Sequence, residues 1–159
     1  IYNKTDFDAG LRAIGDINPL IDQVMPRLEG LQAAWGFKTF ARYEVLLTMY
    51  GPGGSYNPDR GVVIMLTTVQ GTFKRSNPRH TIFHEIVHIG VEQIIVKRFG
   101  LKHMEKERLV DLICSRLLGD LLPGYRLQSS AATKLDPFVT EETLKDLPAA
   151  IQKYLKGPR

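Results

Sequence analysis

Between Asn77 and Gly100 the chain carries a helix that cannot lie on a surface. Asn77 suits an N-cap, Pro78 the first helical position and Gly100 the exit. Lys97 and Arg98 favour the C-terminal end of the helix dipole. Ile82, Phe83, Ile86, Val87, Ile89, Val91, Ile94, Ile95, Val96 and Phe99 cover most of its circumference. A helix apolar on nearly every side is central and covered by its neighbours. The rest of the chain must therefore wrap around it.

Into this helix the sequence sets His84-Glu85-Ile86-Val87-His88. At about 100° per residue the histidines project about 40° apart, one turn along the axis. Both imidazoles can reach one metal ion. Glu85 lies about 60° further round, free to handle a metal-bound water. Two ligands and a general base on one turn is the chemistry of a zinc hydrolase. H-E-x-x-H is short enough to arise by chance, and its bland alternative is a pair of histidines facing solvent or satisfied in the core. Three polar groups on a central helix are costly, however, unless they have partners or face a cleft. A metal meets all three needs.

Eighteen residues separate His88 from Glu107-Arg108-Leu109-Val110-Asp111. A structural zinc site closes with four protein ligands, whereas a catalytic one uses three and keeps a position for water. Glu107 can supply the third. Asp111, one turn on, can accept a hydrogen bond from a ligand imidazole and fix its tautomer. Glu92, His103 and His80 are rival ligands. Glu92 shares the histidines' helix and so covers a poorer part of the tetrahedron. His80 falls in the first helical turn, where facing solvent is the simpler expectation. A metzincin reading fails, because Ile-Gly-Val-Glu-Gln-Ile follows the motif without the required glycine and third histidine.

H-E-x-x-H, 18 residues and E-x-x-x-D together resemble the gluzincin class of zinc metallopeptidases, the broad group that includes thermolysin. The resemblance covers about residues 77–122 and the strands before them, and the chain is closer in size to single-domain minimal forms. It implies a zincin-like fold, Zn2+ held by His84, His88 and Glu107, Glu85 as base and Asp111 behind the ligands. In larger gluzincins a Tyr or His beyond the zinc helices stabilises the oxyanion. Tyr125, in Pro-Gly-Tyr-Arg, is the candidate here, with His103 and Arg126 behind it; aromatic packing at a helix end is its alternative.

With 159 residues, 43% of them hydrophobic, the chain suits one domain with a real core. The net charge of +4 permits anionic partners, but the basic residues form no run and no aromatic-interleaved patch. Nucleic acid is therefore not an expected partner. A single cysteine excludes an internal disulfide, and Cys114 lies in an apolar helical stretch that suggests packing. No segment has the apolar length of a membrane span. The chain starts at Ile1 without methionine, which suggests a processed or trimmed N-terminus and leaves the compartment open.

Residues 5–33 carry apolar residues at helical spacing, interrupted at Asn18-Pro19 and Met25-Pro26, and predict two or three short helices. Phe40 to Tyr50 and Gly61 to Val69 read as strands. Residues 51–60, rich in Gly and Pro, read as a loop that can flank the site. A second helix is expected from about 104 to 122, ended by Pro123-Gly124, then a surface loop after Gln128. A final helical region opens at Thr140 and is broken by Pro148. Its apolar face, Ala150, Ile151, Tyr154 and Leu155, packs either on the back of the domain or over the zinc cleft.

The expected fold is thus α+β: N-terminal helices, a small twisted sheet, two zinc-bearing helices and a C-terminal helical region. The expected activity is hydrolysis of a peptide or protein substrate, narrow or latent, with an extended peptide pairing to a strand edge near residues 62–70. Two other classes stay open. One is a catalytically silent zinc-binding interaction or sensing module. The other is a basic binding domain with an accidental motif.

Overall fold

The computed structural model describes residues 4–49, 51–66, 73, 77–128 and 130–157. Its class is α+β, with five α-helices and one three-stranded sheet among the described residues. Helix α3 (Pro78–Val91) is the axis of the molecule. Every residue from Ile82 to Val91 is buried, as an all-round apolar helix requires. The Asn77 side chain accepts from Arg79 N at 3.2 Å and Pro78 occupies the first turn. The helix widens into a π-helical segment, Glu92–Lys97, before Gly100 leaves at φ +62°.

Helices α1 (Lys4–Gly15) and α2 (Asn18–Trp35) precede the sheet. The sequence break expected at Pro26 does not occur: Pro26 lies inside α2. Pro26 and Asp22, whose carbonyl loses its donor, are both exposed, so water can serve that carbonyl. Val24, Leu28 and Leu31 are buried on the other side and hold the helix in place.

Strands β1 (Glu44–Thr48), β2 (Gly54–Asn57) and β3 (Val62–Leu66) pair in the order β1-β3-β2. β3 is parallel to β1 and antiparallel to β2, with Gly54 opposite Met65 and Asn57 opposite Val62. Two expectations are corrected here. The loop at residues 51–60 contains a strand, which β3 templates although Gly-Ser-Tyr-Asn has little strand preference of its own. The edge expected near residues 62–70 is not one over Val62–Leu66, where β3 has a neighbour on each side; residues 67–70 lie outside the described residues. Among the described strands the edges are β1 and β2. The expected strand ends Tyr50 and residues 67–69 also fall outside the described residues.

Helix α4 (His103–Leu117) packs against α3 and stops five residues earlier than expected, its chain continuing in turns through Leu122. Short 3-10 turns, Thr133–Leu135 and Thr143–Asp146, lead to α5 (Leu147–Lys156). Pro148 begins this helix instead of breaking one, because the Asp146 side chain caps it by accepting from Ala149 N at 3.3 Å. Ala150, Ile151 and Tyr154 are buried, and the Tyr154 hydroxyl donates to Glu105 Oε1 at 2.7 Å. No described helix is long and apolar enough to cross a membrane.

Candidate metal centre

Three elements bring the site together. Helix α3 presents His84, Glu85 and His88, α4 presents Glu107 and Asp111, and β2 runs beside them. With residues 124–128, Ser130 and Ala131 they line a cleft of about 1160 Å³. No residue of α5 lines it, so the C-terminal helix docks on the back and does not cover the site.

His84 Nε2 and His88 Nε2 face each other at 3.0 Å. Glu107 Oε2 lies 3.3 Å from His88 Nε2 and 3.6 Å from His84 Nε2. A tetrahedral zinc ion with bonds of about 2.0–2.1 Å separates its ligand atoms by about 3.3 Å. The triangle therefore has the dimensions of a metal's ligand face, and these three residues can hold an ion. The opposed nitrogens support the same fit. At most one proton fits between two imidazole Nε2 atoms, whereas a cation satisfies both lone pairs.

The far side of His84 selects its tautomer. His84 Nδ1 is 2.7 Å from the Tyr125 hydroxyl, which donates to Asp111 Oδ1 at 2.8 Å. Burial, with Cys114 and Asp111 nearby, drives the Tyr125 pKa strongly upward, so the phenol keeps its proton. A hydroxyl that donates to the carboxylate accepts from Nδ1–H, which leaves the Nε2 lone pair for a metal. Gln128 N donates to Asp111 Oδ2 at 2.7 Å and anchors the relay.

This geometry corrects two expectations. Tyr125 lies behind the Nδ1 edge of His84, opposite the ligand triangle, and is not placed as an oxyanion donor. Asp111 reaches His84 through Tyr125, its own oxygen standing 3.7 Å from Nδ1.

Burial lowers the pKa of His88 despite its hydrogen bond to Glu107, favouring the neutral form that binds metals. Its Nδ1 is buried with no hydrogen-bond partner among the described residues. The ring is held by stacking on Tyr56, with centroids 4.9 Å apart and planes within 9°. Burial alone would raise Glu107, but the two imidazoles facing its Oε2 hold it far below the usual carboxylate range.

Glu85 lies outside the ligand triangle. It is 7% exposed, and burial pushes its pKa up to about 7. Gly54 makes room for it: a Cβ there would stand 2.5 Å from Glu85 Oε1.

The rival ligands are engaged elsewhere. Glu92 accepts from the Tyr56 hydroxyl at 2.8 Å. His103 is exposed and lies 3.7 Å from Glu107 Oε1, the oxygen turned away from the histidines. His80 is half-buried rather than solvent-facing, with Nε2 3.2 Å from the Pro123 carbonyl. Arg126 is exposed on the rim, and Cys114 is buried with its thiol pKa raised by that burial. Gly54, Tyr56 and Lys106 carry no spacing signal, and sequence reasoning missed all three.

In comparisons with known proteins, no family model matches the chain, and no curated protein or solved structure matches it.

Proposed function

We propose that this protein is a zinc-dependent peptidase of gluzincin type with a zincin-like fold. The observation that carries the reading is the Nε2–Nε2–Oε2 triangle of His84, His88 and Glu107 at the wall of an open cleft, with Glu85 beside it and outside it. Zinc held there supplies Lewis acidity, polarising a carbonyl and lowering the pKa of water toward about 7.

The chain's own residues supply the rest. Glu85, with a pKa of about 7, is matched to take a proton from the attacking water and return it to the leaving amine. Asp111 and Tyr125 hold His84 in the ligand tautomer. On this reading an extended peptide adds its backbone hydrogen bonds at β2, an edge among the described strands, instead of at residues 62–70.

One observation favours the silent zinc-binding module as a second reading: Tyr125, the expected oxyanion donor, is committed to His84 and Asp111. Elemental analysis after zinc reconstitution should find about one ion per chain, and Glu107→Ala should reduce affinity strongly. Cleavage of a diverse peptide library, abolished in Glu85→Gln with zinc retained, then separates enzyme from module. Absence of zinc sinks both readings. Zinc without cleavage sinks the first.

A further inference from the structure

With Tyr125 turned behind His84, the cleft needs another group to meet negative charge on a carbonyl oxygen. We propose that Lys106 is that group, an ammonium donor to the oxyanion; the assignment rests on the peptidase reading above. Lys106 immediately precedes Glu107 on α4 and lines the same cleft.

Its Nζ donates to the Tyr56 hydroxyl at 3.2 Å and lies 5.6 Å from the centre of that ring. Tyr56 is itself fixed twice, by its stack on His88 and by its donation to Glu92 Oε2. Tyr56 gives its hydroxyl proton to Glu92 and so offers Lys106 a lone pair. The chain Lys106–Tyr56–Glu92 thus anchors an ammonium against the ring that covers His88. An ammonium has three donors, and the hydrogen bonds among the described residues use one. Two remain for a ligand in the cleft.

The other basic residues lining the cleft are placed differently. His80 is bonded to the Pro123 carbonyl, His103 has a side chain 73% exposed, and Arg126 is exposed on the rim. Lys106 is half-buried and tethered, which is what a preorganised electrostatic donor requires.

The test uses the full chain loaded with zinc and two probes, phenylphosphonate and imidazole, titrated by calorimetry. Phenylphosphonate places anionic oxygens beside the metal; imidazole binds the metal without them. Lys106→Met should keep one zinc per chain and the imidazole affinity, yet weaken phenylphosphonate about tenfold or more. Tyr56→Phe keeps the ring but frees the lysine, and should weaken phenylphosphonate by less. On any peptide the parent cleaves, Lys106→Met should lower kcat about 10²–10³-fold. Unchanged phenylphosphonate affinity in Lys106→Met, with zinc bound, overturns the assignment and leaves the peptidase reading standing. Failure of the parent to load zinc overturns both. A selective loss of phenylphosphonate affinity without cleavage of any peptide overturns the peptidase reading, and with it the oxyanion role, and leaves Lys106 as an anion donor beside the metal.

Discussion

Replacing Gly90 by alanine tests whether α3 is as tightly enclosed as the packing indicates. Gly90 is buried two residues past His88, and its carbonyl accepts from Lys38 N at 3.0 Å. An added Cβ would fall 1.9 Å from Phe37 Cζ and 2.2 and 2.3 Å from the two Cε atoms. Ordinary contact begins near 3.4 Å, so the ring or the helix must retreat by about 1.5 Å. Phe37 is fully buried and stands edge-on to Trp35, which leaves it little room. Overpacking of this kind costs about 1–3 kcal/mol, here near the upper end because three ring carbons clash. Alanine's better helix propensity returns about 1 kcal/mol. The net loss is about 2 kcal/mol, or about 4–8 °C in Tm for a chain of this size.

Thermal unfolding of four proteins decides it: parent, Gly90→Ala, Phe37→Ala and the double variant. Phe37→Ala alone should cost about 3–5 kcal/mol. In that background Gly90→Ala should be neutral or slightly stabilising, because the clash is gone. Equal losses in both backgrounds, or an unchanged Tm in Gly90→Ala, would refute the reasoning.

Gly54→Ala pushes on Glu85 Oε1 at 2.5 Å and on Thr81 Cγ2 at 2.8 Å, so zinc content should be retained while hydrolysis falls about 10²-fold; parental kcat would show that Glu85 tolerates displacement. Asp111→Ala and Tyr125→Phe cut the same relay to His84, and each should lower zinc affinity, about 10–100-fold for Asp111→Ala. The double variant should lose no more than the worse single, and additive losses in a zinc titration would contradict a shared relay. Asp136 is held below its ordinary range by hydrogen bonds to the buried Arg108, so its contribution is complete above about pH 4 and lost as pH falls through the folded value. Asp136→Asn should cost about 1–3 kcal/mol near pH 7 and flatten the acid limb of stability; a parallel acid limb in both proteins would place the titration elsewhere.

The parts of the site legible in the sequence are those carried by regular helices. His84 and His88 share a face because four residues make about one turn, and the all-round apolar character of their helix determines its central place. Glu107 was reachable because ligand chemistry asks for a third donor from a second helix. The strand at Gly54–Asn57 was not legible. Its four residues include one aromatic and no β-branched side chain, and its existence depends on backbone pairing with β3. Gly54 and Tyr56 were lost with it. Tyr125 was visible as a neighbour of the site, but spacing does not say which edge of an imidazole a hydroxyl meets. Pro26 misled for a simpler reason: a proline penalty is local, and the buried stripe of Val24, Leu28 and Leu31 outweighs it when the freed carbonyl faces water.

The buried polar residues around α3 and α4 divide by how they are satisfied. Glu105 accepts from Lys102 N at 2.8 Å and from the Tyr154 hydroxyl, and Arg108 is paired with Asp136. Both are closed within the chain, and both tie α4 to segments that flank it. His84, Glu85 and His88 are equally buried, but their remaining capacity points inward to one another or to the cleft. Two Nε2 atoms oppose each other, a carboxylate oxygen completes their triangle, and Glu85 is held at about 7 by its own desolvation. Burying such groups without full internal partners is costly. The two tyrosines limit that cost without removing it. Tyr125 carries the outer edge of His84 to Asp111, and Tyr56 covers the face of His88 while passing Lys106 to Glu92. Both leave the inner nitrogens unanswered. The inner atoms of His84, His88 and Glu107 stand at metal-ligand spacing, so on the zinc reading zinc binding should raise Tm in the parent and much less in Glu107→Ala.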